Sequence, residues 1–259
     1  MQASPLIENP ELEGGAFYWP GGPNGILLMH GFTATSVEIR PLAHAFQQAG
    51  FSVAGPLLPG HGTTPDDLNA QRWQNWVAAA DQAYQLLASN CARVFVGGES
   101  LGGLLTLYLA SRHPEINGIL LFAPAMKVKN LWRTWFARFF ITTRLKKPGS
   151  GPPNPLPWQG YKVFPVKGSY QLWRFQKQVG KRLSLVTQPA LIFQGKKDRT
   201  ILPVSSQIIF EGIRSKQKEL VWLENSGHCV LLAPEHEQVI TQSRAFVEAI
   251  LQEHGVYAS

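Results

Sequence analysis

Six short apolar runs alternate with segments of helical periodicity along this chain. The runs are 25-GILLMHG, 51-FSVAGPLL, 93-RVFVGGE, 118-GILLFAP, 190-ALIFQG and 219-ELVWLEN, and the helical segments lie at 36–49, 73–89, 101–112, 204–213 and 235–253. The runs are apolar at consecutive positions, so each strand needs cover on both faces. Such strands, separated by helices, build βαβ units and a mostly parallel sheet flanked by helices, an α/β fold. A length of 259 residues suits one such domain, and 44% hydrophobic content suffices for its core. A further short strand is expected around Ala16–Trp19.

Composition excludes several classes. No apolar run approaches the roughly 18 residues that cross a bilayer. The opening MQASPLIENPELEGG lacks a basic segment followed by an apolar stretch, so no signal peptide and a cytoplasmic location are expected. Cys91 precedes one strand and Cys229 follows another, at opposite ends of the sheet. A six-residue strand spans roughly 20 Å, whereas bridged Cα atoms lie within about 7 Å, so no disulfide is expected. The net charge of +7 comes with no nucleic-acid-binding motif, so no nucleic acid partner is expected.

The alternation breaks once, between Pro124 and Gln188. This stretch reads as a helix, a loop 148-PGSGPPNPLPWQG, and a second helical segment. Residues 1–124 and 188–259 are therefore taken as the core and 125–187 as a cap over the carboxyl ends of the strands, where open α/β sheets bind their ligands. The cap holds 13 Lys plus Arg and no acidic residue, leaving 11 basic against 17 acidic residues elsewhere. It also carries 11 of the 28 aromatics.

Gly98-Glu99-Ser100-Leu101-Gly102 fits G-x-S-x-G and sits between the strand VFV and the helix 101-LGGLLTLYLA. This is the strand–turn–helix setting of a nucleophile elbow, in which flanking side chains would collide with backbone. A serine nucleophile needs a base, and the base needs an orienting carboxylate. His228 in 224-ENSGHCV and Asp198 in 194-QGKKDRTI both follow strands, on the same rim as Ser100. Glu224 is the alternative acid, and the competing reading of Asp198 is a loop carboxylate paired with Lys196, Lys197 or Arg199. The remaining histidines, 30, 44, 61, 113, 236 and 254, fall before the elbow or on helices. Backbone N–H groups of Leu101 and Phe32, the latter in 29-MHGFTAT, are the expected donors to a developing oxyanion.

These residues resemble the bacterial carboxylesterase and monoacylglycerol lipase group of the α/β-hydrolase superfamily. The matching segments are 26-ILLMHGFTAT, 40-RPLAHAFQQAGFSV, 59-PGHGT, GESLGG continuing through 101-LGGLLTLYLASRHP, 189-PALIFQGKKD, 208-IIFEGI and ENSGH. The resemblance implies a triad of Ser100, Asp198 and His228, and hydrolysis of carboxylic esters with apolar acyl chains, without metal or cofactor. It covers the chain outside the insertion, so the same triad also admits lysophospholipase or thioesterase activity. Dehalogenases and epoxide hydrolases of this fold carry Asp where this chain has Ser100. A non-catalytic hydrolase-fold binding protein is the reading of another class.

Within 131-LWRTWFARFFITTRL the apolar positions 132, 135, 136, 139 and 140 recur at helical spacing. The favoured reading packs this stripe down over the site, making Trp132, Trp135, Phe136, Phe139 and Tyr170 candidates for the substrate pocket. The acid-free cap is also expected to attract anionic membrane or lipid surfaces, or anionic acyl esters.

Overall fold

The computed structural model describes residues 5–146 and 154–256. The proline- and glycine-rich run 148–153 of the expected loop lies outside them. The strands are β1 (Ile7–Glu8), β2 (Phe17–Trp19), β3 (Asn24–Met29), β4 (Ser52–Gly55), β5 (Arg93–Glu99), β6 (Gly118–Phe122), β7 (Thr143–Leu145), β8 (Gly160–Tyr161), β9 (Val163–Pro165), β10 (Ala190–Gly195) and β11 (Lys218–Leu223). Seven form one sheet in the order β11-β10-β6-β5-β3-β4-β2. Its pairs are parallel apart from β2, which runs antiparallel to β4. The six expected core strands and the short strand near Ala16–Trp19 are all in this sheet.

The helices are α1 (Arg40–Gln48), α2 (Pro65–Ala70), α3 (Trp73–Ala88), α4 (Leu101–Ala110), α5 (Thr134–Ala137), α6 (Val166–Gly180), α7 (Val204–Gly212) and α8 (His236–Val256). Side chains alternate across each strand. Ile26, Leu28, Phe122 and Phe193 face one layer with Leu42 and Phe46 of α1 and Val247 and Ile250 of α8. Leu27, Val96, Leu121 and Ile192 face the other, with Tyr84 of α3, Leu105 of α4 and Ile209 of α7. All ten residues of α4 are buried, which suits its apolar run LGGLLTLYLA. α2 was not expected, although Thr64-Pro65-Asp66-Asp67 signals it. The Thr64 hydroxyl oxygen accepts from Asp67 N–H at 3.2 Å, and Pro65 begins the helix.

The insertion departs from expectation in its first half. Segment 131–145 is not one amphipathic helix: a 3₁₀ turn at Leu131–Arg133 and the four residues of α5 give way to β7. β7 pairs antiparallel with β9, Thr143 opposite Pro165. Ile141, Thr142 and Thr143 are β-branched and favour this extended pairing over a further helical turn. The aromatic stripe does not pack downward either. Trp132, Trp135, Phe136, Phe139 and Phe140 are between 48% and 75% exposed. The second half behaves differently. Leu172, Phe175 and Val179 of α6 join the main core, with Phe175 stacked on Trp73 at 5.4 Å between centroids. Among the described residues, no helix is long and apolar enough to cross a membrane.

β5 meets α4 at Ser100 with little room. A Cβ built on Gly98 would lie 2.4 Å from the Gly102 carbonyl carbon, and one on Gly102 only 2.0 Å from Met29 O. Gly102→Ala must push α4 off the end of β3. Overpacking of this kind costs about 2–3 kcal/mol, so the melting temperature is expected to fall by roughly 5–10 °C for a chain of this size. An unchanged melting temperature in calorimetry would show that the contact is loose.

Candidate active site

From β3 the chain moves outward to β4 on one side, and from β5 to β6, β10 and β11 on the other. Loops leaving the carboxyl ends of β3 and β5 therefore diverge and leave a crevice between them, the usual ligand position in such sheets. Ser100 follows β5 at this crevice with φ 56° and ψ −106°. A non-glycine residue in that region is strained and persists only where neighbours hold it. Its N–H donates to Phe122 O at 2.9 Å, and its carbonyl accepts from Ala125 N–H at 3.0 Å.

His228 Nε2 lies 3.1 Å from Ser100 Oγ, and its Nδ1 lies 2.9 Å from Asp198 Oδ2. The Asp198 side chain is fully buried, and every contact it makes is with a donor. Thr200 and Ile201 N–H each donate to Oδ1 at 2.8 Å, and Gln194 Nε2 donates to Oδ2 at 3.2 Å. Ser206 Oγ in turn donates to Gln194 Oε1 at 2.8 Å. The neighbouring lysines look elsewhere: Lys196 pairs with exposed Glu224, and Lys197 donates to Asn225. The alternative acid is thus turned away, and the simple surface pairing of Asp198 is not formed. Glu235 fixes the loop ahead of His228, accepting from Asn225 N–H at 2.9 Å and from Ser226 Oγ at 2.6 Å.

Electrostatics follow this geometry. Burial pulls the His228 imidazole down, but the charge and hydrogen bond of Asp198, aided by Glu38, outweigh it and raise its pKa above the ordinary value. Burial pushes Asp198 up, yet His228 and the two backbone N–H groups hold it below the usual carboxylate range. Among the other histidines, His30 is pushed down to about 4, chiefly by burial. Its Nε2 accepts from Leu58 N–H at 3.1 Å, which leaves Nδ1 to donate to Gly31 O.

Phe32 and Leu101 frame the same crevice. Leu101 opens α4, so its N–H has no acceptor within the helix. Ala34 N–H donates to Gly31 O at 3.2 Å, closing a turn with Phe32 and Thr33 at its corners. Thr33 has φ 70°, the positive value a type II turn needs at that corner. A Cβ on Gly31 would lie 3.3 Å from Ser100 Cβ, which places this turn directly against the serine.

Glu38 escaped the sequence reading. It is 3% exposed, and its Oε2 accepts from Gly31 N–H at 2.6 Å. Nothing in 36-SVEI distinguishes it from an ordinary acid in a first helical turn. Gln194 and Glu99 were also missed; Glu99 is buried at the elbow, and Leu231 N–H reaches its Oε1 at 3.4 Å. The substrate-pocket candidates fare less well. Trp132, Trp135, Phe136 and Phe139 stand on the exposed surface, and Tyr170 is half-buried beneath the Arg138 guanidinium, 3.9 Å from its ring centre. Among the described residues, no group of three or more His, Cys, Asp or Glu is arranged to hold a metal ion.

A mostly parallel sheet carrying a strained serine at a strand–helix elbow, with imidazole and carboxylate from later loops, is the architecture of the α/β-hydrolases. The chain belongs to the Hydrolase_4 family, described as serine aminopeptidase, S33, whose model matches residues 24–154 and 157–235. It is similar to a thermostable monoacylglycerol lipase of Bacillus sp. (strain H-257), at 38% identity over 89% of this chain and 92% of that one. It is also similar to a carboxylesterase of Bacillus subtilis (strain 168), at 25% identity over 90% and 96%. A solved structure from work on the metagenome-derived lipolytic enzymes LipS and LipT superposes with a TM-score of 0.86 at 33% identity, covering 96% of this chain and all of that one. These relatives bear out the family resemblance read from the sequence.

If Asp198 holds the proton on His228, Asp198→Asn must make the imidazole less basic. Titration of His228 followed by NMR is expected to show a lower pKa in the variant than in the wild type. An equal value would mean that the 2.9 Å contact carries no charge coupling.

Proposed function

We propose that this chain hydrolyses carboxylic esters with apolar acyl chains, monoacylglycerols among them, through an acyl-enzyme on Ser100. The observation that carries the reading is the unbroken hydrogen-bond chain from buried Asp198 through His228 to Ser100 Oγ, at 2.9 and 3.1 Å. The names of the similar lipase and carboxylesterase support it.

Ser100 Oγ attacks the ester carbonyl while His228 Nε2 takes its proton. The N–H groups of Phe32 and Leu101 stabilise the negative charge that develops on the carbonyl oxygen. His228 returns the proton to the leaving alcohol, and Asp198 stabilises the imidazolium meanwhile. Water, deprotonated by the same imidazole, then attacks the acyl-enzyme and releases the acid and Ser100. In this reading the chain itself supplies nucleophile, base, orienting acid and oxyanion donors, so the cycle calls for no metal or cofactor. His228 must be neutral to act as a base. Since its folded pKa is raised, kcat/KM rises with pH through a value above that of free imidazole and levels off beyond it.

Residues 125–187 form the cap of this reading and govern what reaches Ser100. Its outer surface is proposed to contact anionic membrane or lipid surfaces. Phe139 and Phe140 are 64% and 75% exposed, and Arg138 lies 4.4 Å from the Phe139 ring centre. Exposed aromatics beside cations, in a segment without acids, suit the interface of a negatively charged lipid layer.

A fluorophosphonate probe is expected to label the wild type, and Ser100→Ala to abolish labelling and lower ester hydrolysis by at least about 10³-fold. A wild type that takes no label would favour the non-catalytic binding protein. For the cap, co-sedimentation at low salt is expected to be stronger with anionic than with neutral vesicles and to weaken as salt is added. Equal binding to both would sink the surface reading.

A further inference from the structure

Glu38 touches three segments, two of them distant in sequence, and each contact is with a donor. Gly31 N–H, from the turn beside Ser100, donates to Oε2 at 2.6 Å. Trp158 Nε1, from the insertion 120 residues away, donates to Oε1 at 3.2 Å. Cys229 Sγ, next to His228 and 191 residues away, also donates to Oε1, at 3.4 Å. The side chain that accepts all three is buried. A carboxylate without ligands in so dry a place is expensive to hold, and a neutral amide could fill the space with less penalty.

We propose that Glu38 is a positioning residue of the hydrolytic reaction, clamping the Phe32 turn to the His228 loop and to Trp158 of the insertion. The inference rests on the catalytic reading of Ser100, Asp198 and His228 given above. Glu38 touches neither Ser100 nor a substrate; it acts through Gly31 and through its charge beside His228. If the clamp releases, the turn bearing Phe32 N–H shifts relative to Ser100. A misplacement of about 1 Å at such a donor can cost about 10²-fold in rate.

The groups facing Glu38 can be named from each element around it. His228 and Cys229 come from the base loop, Glu99 from the end of β5, and Lys146 from the insertion. Lys146 Nζ donates to Thr33 Oγ1 at 2.7 Å and lies 4.3 Å from the Trp158 ring centre, so it braces the same turn from outside. Burial pushes the Glu38 carboxyl up, opposed by Gly31 N–H, His228, Cys229 and Trp158. Glu99 is pushed well up by burial and by the charge of Glu38. His228 faces two carboxylates, Asp198 and Glu38, and one ammonium, Lys146.

The test is Glu38→Gln, made in wild type and in a Glu99→Gln background so that Glu99 cannot ionise in its place. Steady-state kinetics with a small nitrophenyl ester are expected to show kcat lowered by roughly tenfold or more, with KM changed less than about threefold. The acid limb of kcat/KM is expected to move to lower pH, because His228 loses an anionic neighbour. A purely structural role would lower stability without moving that limb. A folded Glu38→Gln with wild-type kcat and acid limb would overturn the proposal. Should Glu38→Gln fail to fold, Trp158→Phe carries the test, since it deletes one donor and keeps a ring. A severalfold loss of kcat supports the clamp, and a wild-type kcat overturns it. Labelling of the wild type by the fluorophosphonate probe separates the two levels: without it the catalytic reading falls, and with it only the role of Glu38 is at stake.

Discussion

At Gly102 the first turn of α4 comes so close to the end of β3 that a single methyl group would sit 2.0 Å from Met29 O. That approach dictates much of the rim. It brings the serine at the head of α4 beside the turn leaving β3, and it lets Gly31 lie within van der Waals reach of Ser100 Cβ. The strained backbone of Ser100 is held by hydrogen bonds from both sides, to Phe122 and from Ala125. α4 in turn has no freedom to withdraw, because each of its ten residues is buried. The position of the nucleophile is therefore a product of helix–sheet packing more than of the loop that carries it.

The acid and base are built on a second principle, the satisfaction of buried charge. Asp198 gives its two oxygens to four donors, counting His228, so its orientation is overdetermined. Its loop is pinned to the start of the insertion as well, where Leu202 N–H donates to Lys127 O at 2.9 Å and Val128 bridges Ile201. The insertion is thus two things at once. α6 shares the core with α3 and α4, whereas segment 131–141 carries its aromatics outward. α6 is also held in place by the stacking of Phe175 on Trp73.

Local rules made the sheet, its flanking helices and the elbow legible, because each depends on residues close in sequence. Apolar runs of four to six residues separated by helical segments read as strands covered on both faces, and only the edge strand β11 among the six is mostly half-exposed. G-x-S-x-G between strand and helix needs only its own glycines to be recognised. Asp198 and His228 could be placed on the rim from chain order alone. The misreadings came where a distant partner decides. The 131–145 stripe keeps helical spacing up to Phe140, yet β7 forms because Thr143–Leu145 find Val163–Pro165 across the insertion. Its aromatics were expected to face inward because a soluble chain usually buries such residues; here the inward place is taken by α6. Glu38 lies in a turn that calls for no comment in sequence, and its partners Trp158 and Cys229 are visible only after folding.

The insertion gathers 13 cations and no acid above a body with 11 basic and 17 acidic residues, so the molecule is electrically lopsided. In the field of a negatively charged surface such a body feels a torque before it feels a contact, and it turns its cationic side forward. Ester cleavage sets free a carboxylic acid, itself an anion at neutral pH. On the side that bears the insertion's cations such an anion is attracted at low ionic strength, and added salt weakens the attraction.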